Sequence, residues 1–381
     1  MNQFDRYYEQ LRQDCRHFEP HRPCRPHKLR GQTCESCDEY EAMARRVLIV
    51  KLAATGDVLR TTSFLPGIRK RHPDAELHWL TLPVAAPLFE GNPLVDRLHL
   101  CDGKHLPVLL EQTPFDAIYC PDADRETAAL AAAAPLRTGG RRIGYAFEDG
   151  RVVPIGEAAR RWFVMGVSDD YKRANRETYQ NLVAAAIGLA LPMLDRPMLL
   201  LSDAERGRAR EWWQAEGRAG FLLGLNTGAG RRWPQKQWSC EGQVALVQRV
   251  HAVGGITMLL GGPEESERHQ QLLAAVPEGA VIDAGTENTL RDFAARLELC
   301  DLVVTGDTMA LHMACAFGKP VVALFGPTSP WEIELYGSGR KCFAEQLECL
   351  VCYGTCEKTP NCQDLISVEE VWRCVEALRG A

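Results

Sequence analysis

From position 46 onwards, short apolar runs alternate with helical stretches. In the first half the runs are VLIVK (47–51), ELHWL (76–80), RLHL (97–100) and FDAIY (115–119). In the second half they are FLLGL (221–225), ITMLL (256–260), AVID (280–283), LVV (302–304) and VVALF (321–325). Short apolar runs separated by helical stretches are typical of βαβ units. The pattern therefore predicts an α/β protein with parallel sheets.

Capping signals and breakers predict several helix ends. A helix over about 175–190 ends in LPML, and the next begins after Ser202-Asp-Ala-Glu205, which has capping-box spacing. Ser367-Val-Glu-Glu370 has the same spacing and predicts a final helix. Between the two series of strands, DRPM at 195–198 is interpreted as an interdomain hinge. Two doubly wound domains would place a ligand between them, at the carboxyl ends of their strands.

Length and composition fit this organisation. At about 150 residues per domain, 381 residues correspond to two or three domains. We divide the chain into a Cys-, His- and Arg-rich leader without helical or strand period (1–44), two Rossmann-like domains (45–198 and 199–340) and a cysteine-rich carboxyl-terminal segment (341–381).

Charge and hydropathy argue against a nucleic-acid partner, a secreted protein and a membrane-spanning one. The formal net charge is −6, so no global basic field attracts nucleic acid, and we expect no nucleic-acid partner. The first residues, MNQFDRYYEQLRQDCRHF, are polar where a secretory signal has an apolar region. The most apolar stretch, 182–194, is 13 residues long, shorter than the roughly 20 needed to span a bilayer. We therefore expect a cytoplasmic protein.

The 15 cysteines are concentrated near the two ends of the chain. In a reducing compartment, clustered thiols are more often metal ligands than disulfides. Four soft ligands favour tetrahedral zinc or an iron site, although free structural thiols are an alternative. The predicted structural zinc or iron ligands are Cys15, Cys24, Cys34, Cys37, Cys349, Cys352, Cys356 and Cys362.

The first strand leads directly into Thr55-Gly56-Asp57 and then a helix. This order places a carboxylate at a helix amino terminus that faces the predicted cleft. The simpler alternative is that Asp57 only caps the helix, because aspartate oxygens accept the free amide protons there. The segment is neither a dinucleotide fingerprint nor a phosphate-binding P-loop, since Gly56 lacks the glycine partners and no Gly-Lys-Ser/Thr follows.

Three strand-end loops of the second domain predict a nucleotide diphosphate site. NTGAGRRWP (226–234) combines small residues with two guanidinium groups that can pair with phosphate oxygens. GGPE (261–264) supplies a carboxylate for ribose hydroxyls. The turn at 306–308 precedes a helix whose first amides can hold a pyrophosphate. The alternative interpretations are that this turn only caps a buried helix and that His312 is a core residue and does not contact a ligand.

Four segments together resemble glycosyltransferase family 9, the ADP-heptose:lipopolysaccharide heptosyltransferases. They are VLIVKLAATGDVLRTTSFLPGIRKRHPDAELHWLT, NTGAGRRWPQKQW, LLGGPEE and TGDTMALHMACAFGKPVVALFGPTSP, and the likeness extends over about 46–373. It implies a GT-B fold, with the acceptor on the first Rossmann-like domain and the nucleotide sugar on the second. It also implies a final helix that crosses back to the first domain.

The resemblance also implies roles for individual residues. Asp57 would be the general base, Arg231 the phosphate-contacting cation and Glu264 the ribose-binding acid. The expected donor contacts are Thr227, Arg231, Glu264, Asn288, Gly306, Asp307, Thr308 and His312. The expected acceptor contacts are Lys51, Thr55, Gly56, Arg60 and Arg125. The sequence departs from the family at Asp122-Ala-Asp-Arg125, where the usual stretch is Asp-Leu-Gln-Gly.

The implied activity is inverting transfer of heptose, with ADP-heptose as donor and a saccharide such as lipopolysaccharide core as acceptor. No catalytic cofactor is expected, and we reject a catalytic metal at Asp122-x-Asp124 because helix-start amides and Arg231 supply charge stabilisation. Seven Lys or Arg against two acids between Glu41 and His72 form either a solvated face or a site for an anionic acceptor at the inner membrane surface. Alternatives are a protein O-heptosyltransferase, a transferase of another nucleotide sugar, an epimerase and a non-enzymatic, metal-stapled interaction module.

Overall fold

The computed structural model describes residues 2–15, 17–41, 45–103, 114–189, 195–230, 234–354 and 356–380. The first lobe is built on a six-stranded sheet with the order β3-β2-β1-β4-β5-β6. All neighbouring strands are parallel except β5 and β6. The strands are β1 (Arg45–Val50), β2 (Ala75–Thr81), β3 (Arg97–Leu100), β4 (Phe115–Cys120), β5 (Leu136–Glu148) and β6 (Arg151–Pro154).

The second lobe has a six-stranded, fully parallel sheet with the order β12-β11-β10-β7-β8-β9. Its strands are β7 (Leu222–Asn226), β8 (Ile256–Leu260), β9 (Val281–Asp283), β10 (Leu302–Gly306), β11 (Val321–Leu324) and β12 (Gly339–Cys342). Strands β8, β10 and β11 are buried throughout, as expected where helices cover both faces of a sheet. The prediction of two Rossmann-like lobes is confirmed.

Helices cover the two sheets and also occur in the leader. The leader contains α1 (Gln3–Gln10) and α2 (Arg25–Arg30). The first lobe contains α3 (Thr55–Thr61), α4 (Leu65–Arg71), α5 (Arg125–Ala133), α6 (Glu157–Val167), α7 (Asp169–Ala174) and α8 (Tyr179–Ala186). The second contains α9 (Asp203–Ala215), α10 (Cys240–Ala252), α11 (Ser266–Ala275), α12 (Leu290–Leu299), α13 (Met309–Ala316) and α14 (Val368–Arg379). Across the described ranges, no helix combines the length and apolar character needed to cross a bilayer.

The predicted capping signals correspond to observed helix starts. The Ser202 hydroxyl accepts from the Glu205 amide, whose side chain in turn accepts from the Ser202 amide, so both bonds of the capping box are present. Ser367 caps α14 by accepting from the amide of Glu370. The helix predicted over 175–190 begins later, at Tyr179, because Thr178 is its cap.

The sequence analysis missed three strands, and it described the leader as lacking helical period although the leader contains the helices α1 and α2. The first part of β5 reads LRTGGRR and is largely exposed, so it lacks the apolar run that marks a buried strand. Strands β6 and β12 are four-residue edge strands that are mostly exposed or half-buried. In the leader, α1 begins with a capping box at Asn2 and contains no buried residue, so it forms without packing against the core.

The final helix packs on the second lobe, contrary to the expectation that it crosses back to the first. Val371, Trp372 and Val375 belong to a core cluster with residues of α10 and β11. Arg249 on α10 also pairs with Glu369 at 2.7 Å. The apolar residues along one side of the final helix are buried, as their spacing indicates. The sequence carried no signal for which lobe this helix covers.

Candidate functional site

The two lobes meet where α3 of the first faces α13 of the second. Gly56, the second residue of α3, lies directly against the ring of His312 on α13. A Cβ atom at Gly56 would be 3.0 Å from His312 Cδ2, so the glycine permits this close approach. The Thr55-Gly56-Asp57 turn and the start of α13 therefore border the same cleft, as expected for loops at the carboxyl ends of the strands of two doubly wound domains.

Asp57 is the third residue of α3, and its side chain is 36% exposed. Arg60 donates to its carboxylate with Nη2 2.8 Å from Oδ1. Burial would raise the pKa of Asp57, but Arg60, Lys51 and His312, together with a backbone hydrogen bond from Ala54, lower it to about 2. Asp57 is therefore an ionised, accessible carboxylate at neutral pH, and it also satisfies a backbone group at the helix start.

Arg60 lies between the lobes with its side chain 12% exposed. Its guanidinium carbon is 3.4 Å from the centroid of the Tyr179 ring, a cation–π arrangement. Burial opposes its charge, but the charges of Asp57, Asp307 and Glu332, together with Tyr179, raise the pKa of Arg60. The structure thus brings this predicted acceptor residue next to Asp57 and close to acids of the second lobe.

Lys51 is 2% exposed, and its ammonium group is held inside the first lobe. Its Nζ donates to both carboxylate oxygens of Asp122, each at 2.7 Å, and to the carbonyl of Ala53 at 2.8 Å. This burial argues against the expected direct contact between Lys51 and an acceptor. Asp122, the first residue of the stretch that departs from the family, is instead the partner of a buried cation.

The other predicted basic groups of the first lobe are largely occupied by internal contacts. Arg125 donates to the carbonyl of Gly150 at 3.0 Å, in the β5–β6 hairpin. Arg69 pairs with Asp96 at 2.8 Å, and Arg46 lies 3.4 Å from Glu76. Much of the local positive charge between Glu41 and His72 is therefore balanced within the fold.

A cavity of about 440 Å³ opens in the second lobe at the ends of β7, β8 and β10. Leu290, Phe293, Met309 and Met313 give it an apolar side, and loop residues such as Thr308 line the rest. An apolar pocket with a few polar groups is the usual form of a small-molecule site. Its position matches the three strand-end loops that the sequence singled out.

The predicted donor residues are placed differently around this cavity. Thr308 precedes α13 without a side-chain capping bond, and its hydroxyl accepts from Asn226 Nδ2 at 3.3 Å. Asn288 lines the cavity and donates to the carbonyls at 284 and 285. Thr227 is buried, with its hydroxyl 3.4 Å from the carbonyl oxygen of Leu260. Arg231 lies outside the described residues.

Lys236 is a basic residue at the site that the sequence analysis missed. Its Nζ donates to the carboxylate of Asp307 at 2.9 Å and to the carbonyl of Asp307 at 3.0 Å. A Cβ atom at Gly306 would be 2.9 Å from the Lys236 carbonyl oxygen, so glycine there lets this loop lie against the end of β10. The available signal was the third basic residue of RRWPQKQW, two positions after Trp-Pro.

At neutral pH, Asp307 is negatively charged and His312 is neutral. Burial would raise the pKa of Asp307, but Lys236 and His312 lower it overall, so the carboxylate is ionised. Burial lowers the pKa of His312 to about 4, and the neighbouring Arg60 acts in the same direction. His312 is therefore neutral at pH 7 and adds no positive charge to the cleft.

Glu265, the residue after the predicted ribose-binding acid Glu264, makes hydrogen bonds in the wall of the cavity. Glu265 accepts from the amide of Gly262 at 2.9 Å and from that of Gly230 at 3.3 Å, and it lines the cavity. Glu264 is exposed on the adjoining turn. Both acids follow the same Gly-Gly-Pro. The sequence alone therefore did not show that Glu265 bonds to the loop amides while Glu264 lies at the surface.

The cysteines converge at each end of the chain. Cys15, Cys24, Cys34 and Cys37 line one cavity of about 360 Å³ in the leader. In the carboxyl-terminal segment, burial and the neighbouring Cys352, Cys356 and Cys349 raise the pKa of Cys362 to about 11. Within the residues that the structure describes, no group of three or more His, Cys, Asp or Glu side chains is arranged to hold a metal.

Two Rossmann-like lobes that face one cleft, with a carboxylate on one side and a nucleotide-sized cavity on the other, define a GT-B glycosyltransferase. Solved structures share this fold. The glycosyltransferase family 9 protein of Veillonella parvula DSM 2008 has a TM-score of 0.69 and 20% identity, over 89% of this chain and 98% of that one. The Escherichia coli heptosyltransferase WaaC with ADP has a TM-score of 0.57 and 19% identity, over 88% and 98% of the two chains.

The model of glycosyltransferase family 9 (heptosyltransferase) matches residues 159–362. The chain belongs to this family. One relative is lipopolysaccharide heptosyltransferase 2 of Escherichia coli K12, which is 22% identical over 315 residues, covering 75% of this chain and 84% of the relative. The family membership makes the protein a glycosyltransferase and excludes the non-enzymatic alternative.

Proposed function

We propose that the protein is an inverting, metal-independent heptosyltransferase that moves heptose from ADP-heptose to lipopolysaccharide core at the cytoplasmic face of the inner membrane. Residues 45–198 would hold the acceptor and residues 199–340 the donor. The observation that carries the proposal is the ionised Asp57, in the cleft where α3 meets the start of α13. The names of the relatives and the ADP in the WaaC structure support the choice of sugar and nucleotide.

In this reaction Asp57 takes the proton of an acceptor hydroxyl while that oxygen attacks the anomeric carbon of the donor sugar. The bond from the anomeric carbon to the β-phosphate oxygen breaks, and ADP leaves with the electron pair. Attack opposite the leaving group inverts the configuration. A positioned general base typically contributes about 10² to 10⁴ to the rate.

The departing diphosphate gathers negative charge that the second lobe is built to stabilise. The amides at 306–308 lead into α13, and a helix amino terminus favours anions. Lys236 is held beside them by Asp307. Arg60 adds a buried positive charge from the first lobe, and we retain Arg231 as a predicted phosphate contact. Neutral His312 does not contribute charge to this step.

ADP is expected to stabilise the protein against thermal unfolding more than UDP, GDP or CMP. A ligand at 100 times its dissociation constant adds about 2.7 kcal/mol to the free energy of unfolding. Melting temperatures measured with each nucleotide at equal concentration test the choice, and Asp57→Asn should respond to ADP as the wild type does. A larger shift with UDP or GDP would contradict ADP-heptose as the donor.

We further propose that the two cysteine clusters hold structural zinc or iron. The supporting observation is that four thiols line one cavity in the leader, a segment in which Pro26 is the only buried residue among those described. Thiolate donors suit these metals, and a bound metal can replace a missing apolar core. The metal would crosslink the chain and take no part in sugar transfer.

Metal analysis of protein prepared without chelator is expected to find zinc or iron bound to the chain. Cys24→Ser and Cys352→Ser should each lower the metal content, because each removes a thiolate from one cluster. Cys101→Ser, which lies outside both clusters, is the matched control and should leave the content unchanged. Protein that contains no zinc or iron, and whose cluster cysteines all react freely with a thiol reagent, would refute the proposal.

A further inference from the structure

Glu332 lies in the loop after β11, on the second lobe, and the proposed mechanism does not use it. Its backbone carbonyl accepts from the amide of Tyr179 at 2.9 Å, a contact that joins the two lobes. Tyr179 in turn carries the guanidinium of Arg60 on its ring. Glu332 therefore lies at the edge of the cleft that also holds Asp307 and the proposed leaving-group site, and the charges of Arg60 and Asp307 both act on its carboxyl group.

One oxygen of the Glu332 carboxyl group is held firmly by the cysteine-rich segment. The Tyr353 hydroxyl donates to Oε2 at 3.1 Å and accepts from the amide of Ser329 at 3.3 Å. The amide of Tyr353 donates to the carbonyl of Pro327 at 2.9 Å. The ammonium group of Lys172 lies 4.3 Å from the centroid of the Tyr353 ring. These contacts fix the direction of the carboxyl group.

The other oxygen, Oε1, is buried and has no hydrogen-bond partner among the described residues. The same holds for Nε of Arg60 and for the hydroxyl of Thr328, four residues before Glu332. Folded proteins leave few buried polar atoms unpaired, and each such atom calls for an explanation. Here the unpaired acceptor belongs to the second lobe and the unpaired donor, on Arg60, to the first, at the contact between the two lobes.

A hydroxyl group can pair with an acceptor and with a donor of these kinds, because it donates one hydrogen bond and accepts others. We propose that Glu332 accepts a hydrogen bond from a hydroxyl of the donor sugar, with Arg60 donating to the same part of the ring, and that Glu332 thereby determines which sugar is transferred. The placement of Glu332 on the second lobe, near Asp307, assigns it to the donor and not to the acceptor. This inference rests on the proposed function.

Calorimetric titration with ADP and with ADP-heptose separates contacts to the sugar from contacts to the nucleotide. Glu332→Ala is expected to weaken ADP-heptose binding about tenfold or more, as for a lost hydrogen bond to a charged group, and to change ADP binding less than twofold. Glu332→Gln, which keeps the shape, should show a smaller loss in the same direction. Tyr353→Phe should do so as well, because it only releases Oε2.

Glu334→Gln is the matched control. It removes a charge from the same segment, but its carboxylate accepts from the amide of Tyr336 at 2.7 Å. It should leave both affinities unchanged. Deoxy analogues of ADP-heptose identify the hydroxyl. The analogue that lacks it should bind the wild type about tenfold more weakly than ADP-heptose binds. Glu332→Ala should bind this analogue and ADP-heptose equally well.

Three outcomes would overturn the inference. Equal weakening of ADP and ADP-heptose by Glu332→Ala would show that the residue only supports the loop. Unchanged binding of both ligands would show that the sugar does not contact it. Wild-type protein that binds neither ligand would refute the proposed donor as well, which separates that failure from the first two.

Discussion

Asp57→Asn is expected to fold and bind ADP like the wild type and to transfer sugar about 10² to 10⁴ times more slowly. The amide keeps the size of the side chain and its position at the start of α3, but it cannot accept the acceptor proton. Steady-state rates with donor and acceptor, measured beside calorimetric ADP affinity, test this. The mutation should lower kcat, because the interaction that it removes is made in the transition state.

Two further observations sharpen the test of Asp57. Asp149→Asn, on an exposed turn with a side chain that is 88% exposed, is the matched control and should keep full activity. Because the pKa of Asp57 is about 2, the base stays ionised when the pH falls from 8 to 5, so its protonation should not reduce the rate in that range. Retention of more than about a tenth of the wild-type rate by Asp57→Asn would contradict the base role.

Asp122→Ala is expected to lower the free energy of unfolding by about 3 to 5 kcal/mol. The substitution leaves the ammonium group of Lys51, which is 2% exposed, buried without its opposite charge. Breaking a buried ion pair in this way costs more than the pair itself contributes, since the remaining charge stays desolvated. Urea denaturation measured by circular dichroism gives the difference directly.

The double variant Lys51→Met with Asp122→Leu separates the cost of an unpaired buried charge from the contribution of the ion pair itself. It removes both charges, so most of the stability lost in Asp122→Ala should return. Arg97, whose side chain is 36% exposed, is one of two arginines beside Glu76, so Arg97→Ala leaves that carboxylate next to Arg46 and should cost much less than Asp122→Ala. A loss below about 1 kcal/mol for Asp122→Ala would mean that water or another group solvates Lys51 in the variant.

Several elements could be predicted because their signals are local. The apolar runs at 47–51, 256–260 and 302–304 became buried central strands, since a parallel strand covered on both faces needs a continuous apolar stretch. The caps at Ser202 and Ser367 were correct because a capping bond joins residues three apart. The exposed start of β5 was missed because its pairing with β4 depends on the fold and not on its own hydrophobicity.

The residues of the functional site also fall into those that have a local signal in the sequence and those that are placed by contacts with distant residues. The sequence singled out Asp57 and the loop at 306–308 because each follows a recognisable strand and opens a helix. It assigned Lys51 to the acceptor, but the structure pairs that cation with Asp122, 71 residues away. It also missed Lys236 and Glu332, whose partners come from other elements. Contacts between distant residues have no local pattern from which to predict them.

By itself, the sequence determined the two-lobed α/β architecture, the family and the positions of the strand-end loops. Periodicity, caps and motif spacing are properties of neighbouring residues, so the order of residues along the chain is sufficient to show them. Only the tertiary structure decided which charges are paired, which acid lines the cavity and which lobe carries the final helix. Those outcomes depend on burial, because a charge becomes costly or useful only after distant segments have removed the surrounding water.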